Sequence, residues 1–175
     1  MKKRIIFANG NLVSIVAQEK SLGDAENFML SRQNPSICAL IGTYGKKYEL
    51  EKIKQNMPEA SFEISNKKIF SIIHKIDGRY LGDVRITKLE EKNEYEIGIL
   101  ITERNKGYGT DTIKTVSEFA FNTLHAEKLH VRIFANNFIS YSFFKKLGFK
   151  QYKTKNEFYR VNGINFRTSF LCLTP

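Results

Sequence analysis

Long apolar runs and cysteines are scarce in this chain of 175 residues. No apolar run approaches the roughly 20 residues that a helix needs to cross a bilayer, and the IIF run after the basic start MKKR is too short for the apolar region of a signal peptide. Cys38 and Cys172 form no CxxC pair, and no His stands at ligand spacing from them. These absences leave a structural zinc site without support. They predict a cytoplasmic chain with neither a metal nor a membrane partner.

Acidic residues are fewer than basic residues: the chain has 18 Asp and Glu against 28 Lys and Arg, which gives a formal charge of +10. Such a charge favours polyanions, among them RNA, a ribosomal surface or a phosphorylated cofactor. The basic residues are spread along the whole chain instead of being concentrated in one arm. This spread argues against nucleic acid as a partner and favours a basic surface with one local anion site.

Linkers, internal repeats and low-complexity segments are also missing, so residues 1–175 are predicted to form a single domain. Apolar periodicity and turn signals predict seven strands and four helices. The predicted strands are 11–19, 68–75, 80–89, 95–101, 129–135, 149–160 and 164–173, and the predicted helices are 25–33, 48–57, 107–124 and 139–148. The strand–helix–strand unit 95–135 requires a parallel pair with a right-handed crossover. The predicted class is α+β with a mixed sheet.

The most informative stretch covers residues 95–110, where the apolar strand YEIGILI opens into the turn TERNKGYGT and a helix start. Arg104 and Lys106 supply positive charge, while Gly107 and Gly109 let a ligand approach the backbone closely. The turn lacks the Lys-Ser/Thr ending of a nucleotide P-loop and the third glycine of a dinucleotide fingerprint. Taken alone, it predicts either a phosphate-binding turn or an ordinary glycine turn.

A second motif begins about thirty residues downstream: Asn137-x-x-Ser140-x-x-x-Phe144-x-x-x-Gly148-Phe149. Together the two stretches resemble the GNAT superfamily of acyl-CoA-dependent N-acetyltransferases. The family signature Arg/Gln-x-x-Gly-x-Gly/Ala is met within residues 104–109. The second signature, Asn-x-x-Ala-x-x-x-Tyr-x-x-x-Gly-Phe, is met with Ser140 in place of Ala and Phe144 in place of Tyr. The tail NEFYRVNGINFRTSFLCL resembles the last hairpin of the spermidine and ribosomal-protein acetyltransferase branch.

This resemblance implies a GNAT-like fold: a mixed, mostly antiparallel sheet of six to seven strands, splayed at a central parallel pair, with about four helices on its faces. It also implies that acetyl-CoA is the co-substrate and lies where the strands splay. The backbone of the preceding strand would pair with the pantetheine amides, and the glycine-rich loop would hold the pyrophosphate. The cofactor-binding residues expected from the family are Ile99, Leu100, Ile101, Arg104, Asn105, Lys106, Gly107, Tyr108, Gly109, Thr110, Asn137 and Phe144.

The family also implies direct attack of a neutral amine on the thioester, so a base must remove a proton from an ammonium with a pKa of about 10. Glu96 matches a position where relatives carry a glutamate proposed for this task. The alternative for Glu96 is a strand residue held in a salt bridge. Phe144 stands where relatives have the Tyr that protonates the leaving thiolate. Tyr141 lies one helical turn earlier and is the candidate substitute acid, against the alternative of a packed aromatic residue.

The predicted reaction is acetyl transfer to a primary amine on a small molecule, an amino sugar or a protein N-terminus. The alternative is an acyl-CoA-binding module with little catalysis, which the phenylalanine at position 144 motivates. The formal charge argues against a polycationic acceptor and favours a phosphorylated or nucleotide-linked amine or a ribosome-associated protein. By resemblance, Glu157, Tyr159 and Arg167 of the tail hairpin are acceptor-site candidates. Relatives are often dimers, which makes a homodimer an expected assembly.

Overall fold

The structure is a computed structural model that describes residues 4–20, 23–41, 43, 46–57, 66–91, 93–159 and 164–175, with only the backbone described at 157–159 and 164–166. Eight strands within these ranges form one sheet. They are β1 Ile6–Asn9, β2 Val13–Ala17, β3 Lys67–His74, β4 Tyr80–Lys88, β5 Glu94–Ile101, β6 Lys128–Phe134, β7 Lys150–Tyr159 and β8 Ile164–Leu173. The five helices are α1 Asp24–Ser31, α2 Pro35–Ile41, α3 Leu50–Asn56, α4 Tyr108–Asn122 and α5 Phe138–Lys146.

The strand order across the sheet is β1-β2-β3-β4-β5-β6-β8-β7. Every neighbouring pair is antiparallel except β5 and β6, which are parallel and joined through α4. The predicted α+β class, the mixed sheet and the central parallel pair are therefore confirmed. The predicted numbers of strands and helices are slightly too low, since the described residues contain eight strands and five helices.

The two additional elements are β1 and α2. β1 has only four residues, too few for an alternating pattern to stand out. α2 begins at Pro35. A proline is favoured at the first position of a helix because the amide hydrogen it lacks has no partner there. The Asn34 side chain accepts a hydrogen bond from the Ser36 amide at 3.0 Å and so starts this helix.

The core lies mainly between the sheet and α4. Ile113, Val116 and Ala120 recur at helical spacing on one face of α4 and are buried. They belong to the same apolar cluster as Ile97 of β5 and Leu129 of β6. Since this packing fixes α4 against the parallel pair, it also fixes where the loop before α4 lies.

Candidate active site

β5 and β6 separate after a short parallel contact. They pair only at Glu94–Lys128, Tyr95–Leu129 and Glu96–His130. β5 remains paired with β4 as far as Ile101, while β6 continues against β8. The edge of β5 that faces β6 is therefore left without a strand partner from Ile97 onward, and its backbone amides and carbonyls are available to a ligand.

Two adjoining cavities open at this separation. The larger, which we call the sheet cavity, has a volume of about 850 Å³ and is lined by β3, β4, β5, β6 and some of the described residues between 40 and 57. The smaller, which we call the loop cavity, has a volume of about 300 Å³ and is lined by the loop before α4, by α2 and by the start of α5. The cavities share Leu40, Ile41, Ile99, Leu100, Asn137 and Ser140. A long ligand can therefore run from one cavity into the other along β5.

The N-terminus of α4 faces the loop cavity. Gly107 is its N-cap, adopts a left-handed conformation (φ 80°) that favours glycine, and supplies no side-chain cap. Asn105 is also left-handed, at φ 60°. Because no described side chain caps the N-terminus of α4, its first amides remain available to an anion. Of the loop residues expected from the sequence, those that line the cavity are Arg104, Asn105, Gly107, Tyr108, Gly109 and Thr110.

Lys106 is the expected loop residue that does not line the loop cavity. Its ammonium group lies 2.9 Å from Oε2 of Glu103, and the Arg79 guanidinium Nε lies 3.0 Å from the other Glu103 oxygen. Arg79 also donates to the Tyr108 hydroxyl at 3.0 Å. These two cations hold the pKa of Glu103 below its usual range. Arg104, by contrast, forms no hydrogen bond or ion pair with any described residue, so it is the uncommitted cation of the loop.

Asp111 fixes the start of α4 against the β1–β2 turn. Its carboxylate accepts hydrogen bonds from the backbone amides of Asn11, Leu12 and Val13 at 3.1, 2.8 and 3.0 Å. A Cβ atom at Gly10 would lie 2.3 Å from this carboxylate, so the turn needs glycine there. Through this contact, the first hairpin of the chain positions the anion-binding end of α4.

Asn137 lines both cavities, but its side chain is engaged by backbone. It caps α5 by accepting from the Ser140 amide at 3.1 Å, and it donates to the Leu40 carbonyl at 3.2 Å. Asn137 therefore joins α5 to α2 across the opening between the cavities.

Glu96 is half-buried and forms a salt bridge, with Oε1 2.7 Å from Nη2 of Arg85. Arg85 lines the sheet cavity, whereas Glu96 lies just outside its lining. Glu96 lies two residues before Gly98 and so on the same face of β5, and Gly98 is the register partner of Arg85. The salt bridge anticipated as the alternative for Glu96 is therefore present, and it places the carboxylate beside a cavity-lining cation.

The two aromatic candidates on α5 differ in position. Phe144 is 4% exposed, lines the sheet cavity and packs edge-on against Phe143 and Phe149. Tyr141 lines neither cavity, and its hydroxyl donates to Oε1 of Gln151 at 2.9 Å. The structure thus gives the substitute acid no route to either cavity.

The tail candidates are only partly described. Arg167 is exposed and lines neither cavity. The side chains of Glu157 and Tyr159 lie outside the described residues.

The described residues contain no group of three or more His, Cys, Asp or Glu side chains that could hold a metal ion. Nor does any described helix have the length and apolarity needed to span a membrane.

The sequence did not indicate that Arg85, Lys67 and Arg79 would lie at the site. Arg85 and Lys67 are polar positions on strands, and strands with one wetted face carry such residues as a rule. Their meeting in one cavity depends on cross-strand register, which has no short-range signal in the sequence. The sequence feature that pointed towards such a basic cavity was the excess of basic over acidic residues.

A family model described as an acetyltransferase (GNAT) domain matches residues 18–150. The chain therefore belongs to the GNAT acetyltransferase family, as its two motifs indicated.

One curated relative is the N-acetyltransferase 9-like protein of Caenorhabditis briggsae, which is 31% identical over 113 residues. That match covers 57% of this chain and 57% of the relative, so the matched part is little more than half of either protein.

Solved structures show the same fold at low identity. A GNAT-family acetyltransferase from Bacillus anthracis has a TM-score of 0.81 at 15% identity, covering 97% of this chain and 98% of that one. Spermidine N-acetyltransferase from Vibrio cholerae, in complex with CoA and spermine, has a TM-score of 0.79 at 14% identity, covering 93% and 95%. These likenesses confirm the expected GNAT fold.

Proposed function

We propose that this protein transfers an acetyl group from acetyl-CoA to a primary amine, forming an amide and free CoA thiol. One observation carries the proposal. The unpaired edge of β5 leads from the sheet cavity into the loop cavity, where the uncapped amides of α4 lie. A strand edge followed by an anion site suits a chain of amides that ends in a pyrophosphate.

The residues present suit acetyl-CoA at this place. The backbone of Ile99, Leu100 and Ile101 lines the loop cavity and has no strand partner on the side of β6, so it is available to pantetheine amides. Arg104 and the first amides of α4 supply positive charge for the pyrophosphate. Asn137 would act by holding α2 and α5 at the correct separation rather than through a free side chain.

Glu96 is the proposed base. A carboxylate paired with a guanidinium remains a hydrogen-bond acceptor at its second oxygen, and Oε2 of Glu96 has no hydrogen bond or ion pair with a described residue. A water next to that oxygen would connect it to an amine in the sheet cavity, whose nearest lining residue along β5 is Ile97. Arg85 would hold the carboxylate in this position while it takes the proton of the ammonium group.

No side chain among the described residues of α5 is proposed as the acid. Phe144 has no proton to give, and the Tyr141 hydroxyl is bonded to Gln151 away from both cavities. A thiol has an unperturbed pKa of about 8.5, so a thiolate is a tolerable leaving group near neutral pH with water as the proton source. This part of the mechanism therefore needs no dedicated residue.

The lack of an acid also supports the second candidate, a CoA-binding module with little catalysis. Calorimetric titration with CoA, followed by a thiol-release assay over a panel of primary amines, separates the two. Saturable CoA binding with thiol release on at least one amine is the expected result. Binding with no release on any amine would favour the module, and absence of CoA binding would exclude both. A cytoplasmic location and a homodimer remain predictions.

A further inference from the structure

The sheet cavity has a strongly basic lining. Among the described residues, seven basic side chains line it and only two acidic ones. The basic residues are Arg32, Lys46, Lys47, Lys52, Lys67, Arg85 and Arg132, and the acidic residues are Glu49 and Asp83. The charge comes from several elements, so it is a property of the cavity and not of one stretch of sequence.

Both acidic side chains of the lining are already neutralised. Asp83 is nearly buried and is held by the two terminal nitrogens of Arg32 at 2.6 and 2.7 Å. Glu49 lies 2.9 Å from the Lys52 ammonium group. Once these two pairs are set aside, the remaining lining charge is entirely positive.

Arg85 is held on one side of its guanidinium and has a donor without a described partner on the other. Only Nη2 of its guanidinium is engaged, in the salt bridge to Glu96. Its Nε is buried and has no hydrogen-bond partner among the described residues. The guanidinium lies against β5 at Gly98, where an added Cβ would come within 3.3 Å of Nη2. It therefore lies next to residues 99–101 of β5, whose backbone is proposed to pair with pantetheine amides.

Lys67 stands close to other cations. It lies on β3 two residues before Ile69, the register partner of Arg85, and so on the face of the sheet that Arg85 shares. Lys67 is exposed, yet desolvation and the positive charges of Arg85, Lys46 and Arg32 lower its pKa, while the negative charge of Glu96 acts in the opposite direction. Arg32 is paired with Asp83 and Arg85 with Glu96, so these carboxylates already offset part of the positive charge near Lys67. An anionic ligand beside Lys67 and Arg85 would reduce the remaining repulsion.

We infer that the acceptor is a primary amine that carries a phosphoryl group, which binds between Lys67 and Arg85 in the sheet cavity. This inference rests on the proposed acetyl transfer and names the substrate class of the same site. A guanidinium fork and an ammonium group suit the oxygens of a phosphoryl group, and the Arg85–Glu96 salt bridge places the anion beside the proposed base. A polyamine is itself a cation, so the positive charge that lines this cavity would repel it.

The first experiment compares matched acceptors in the thiol-release assay. The pairs are phosphoethanolamine with ethanolamine and glucosamine 6-phosphate with glucosamine, and spermidine serves as the polycation. The phosphorylated member of each pair should have a kcat/KM at least about tenfold higher, the effect expected of a charge-assisted hydrogen bond. Equal or reversed preference within the pairs, or highest activity on spermidine, would overturn the inference while leaving acetyl transfer established.

The second experiment assigns the preference to residues. Lys67→Gln should reduce the preference for the phosphorylated amine by about tenfold, while the Kd for CoA stays unchanged. Lys114→Gln removes an exposed charge on α4, outside both cavities, and should leave the preference as it is. An unchanged preference in Lys67→Gln, or a weaker affinity for CoA, would overturn the inference, because the cation would then serve another purpose.

Direct calorimetry keeps the inference separate from turnover. Phosphoethanolamine should bind the CoA-loaded protein saturably, and Lys67→Gln should weaken that binding. If binding is seen and no amine releases thiol, the phosphoryl site stands and the proposed acetyl transfer fails. If neither binding nor preference is found, the phosphoryl site is excluded whatever the activity on other amines.

Discussion

Arg85 and Glu96 form a salt bridge across neighbouring strands, with the guanidinium Nη2 2.7 Å from the carboxylate Oε1. The pair lies at the level where β5 and β6 part, since Glu96 is the last residue of β5 paired with β6. Arg85 lines the sheet cavity, and Glu96 does not. The pair thus couples the proposed base to the proposed anion site.

Replacing Glu96 by Gln removes the proposed base and keeps a hydrogen-bond acceptor for Arg85. We expect kcat to fall by about 100-fold or more, the usual contribution of a positioned base. The pH profile of kcat should shift upward, because the amine must then lose its proton to solvent. The measurement is the initial rate of thiol release at saturating acetyl-CoA over a range of pH.

Glu94→Gln is the matched control for this prediction. Glu94 is on the same strand and face, but its carboxylate is engaged by Lys128 at 2.5 Å and His130 at 2.8 Å. Its replacement should leave the shape of the pH profile unchanged. A Glu96→Gln enzyme with an unshifted profile would remove Glu96 from the role of base.

Arg104 and Lys106 should differ in their contribution to CoA binding, although both are cations of the same loop. Arg104 lines the loop cavity without a described partner, whereas Lys106 is paired with Glu103. Arg104→Gln should weaken CoA binding by about tenfold, the usual cost of a lost charge-assisted hydrogen bond, and Lys106→Gln should weaken it less. Calorimetric titration with CoA at two salt concentrations measures both effects, because screening reduces the contribution of an exposed charge. Equal losses would show that Lys106 leaves Glu103 when CoA binds.

The sequence located the residues of the proposed cofactor end more completely than those of the proposed acceptor end. The glycine-rich loop and Asn137 could be placed because their geometry is local: a left-handed N-cap at Gly107 and a cap on α5 each need a certain residue at a certain spacing. The strand–helix–strand unit 95–135 predicted the parallel pair β5–β6, and the family resemblance carried by the two motifs implied that the pair separates.

The acceptor end depends on contacts between distant strands. The meeting of Lys67 with Arg85, and of Arg85 with Glu96, follows from strand register, which no local pattern determines. The orientation of the Tyr141 side chain also depends on a distant strand, because its hydrogen bond to Gln151 requires β7 to lie beside α5. Helical spacing placed the residue on α5 but did not determine what its hydroxyl would meet.

Gly82 should be the least replaceable glycine in the centre of the sheet. Its φ is 149°, and an added Cβ would lie 1.9 Å from the carbonyl oxygen of Leu100, on the strand that lines both cavities. Gly82→Ala should lower the free energy of unfolding by about 4 kcal/mol or more, in the range that marks severe clashes. Urea denaturation followed by circular dichroism measures this change.

Gly78→Ala is the control, because Gly78 also has a positive φ (70°) but a Cβ there would meet nothing within 4 Å. It should cost only the backbone strain, roughly 1–2 kcal/mol. If the two variants lose equal stability, the close approach between β4 and β5 is not what requires glycine at position 82.

Phe144→Tyr should be tolerated, and acetyl transfer should be preserved or accelerated, because the ring borders the sheet cavity, where a hydroxyl can reach water or the leaving thiolate. Phe149→Tyr is the control. Phe149 is 1% exposed, lines neither cavity and packs edge-on against Phe144, so a hydroxyl there would be buried without a partner at a cost of about 1–3 kcal/mol. Thermal denaturation and the thiol-release rate measure the two effects. Loss of acetyl-CoA binding in Phe144→Tyr would show that this ring is needed for packing and that the cavity has no room for the hydroxyl.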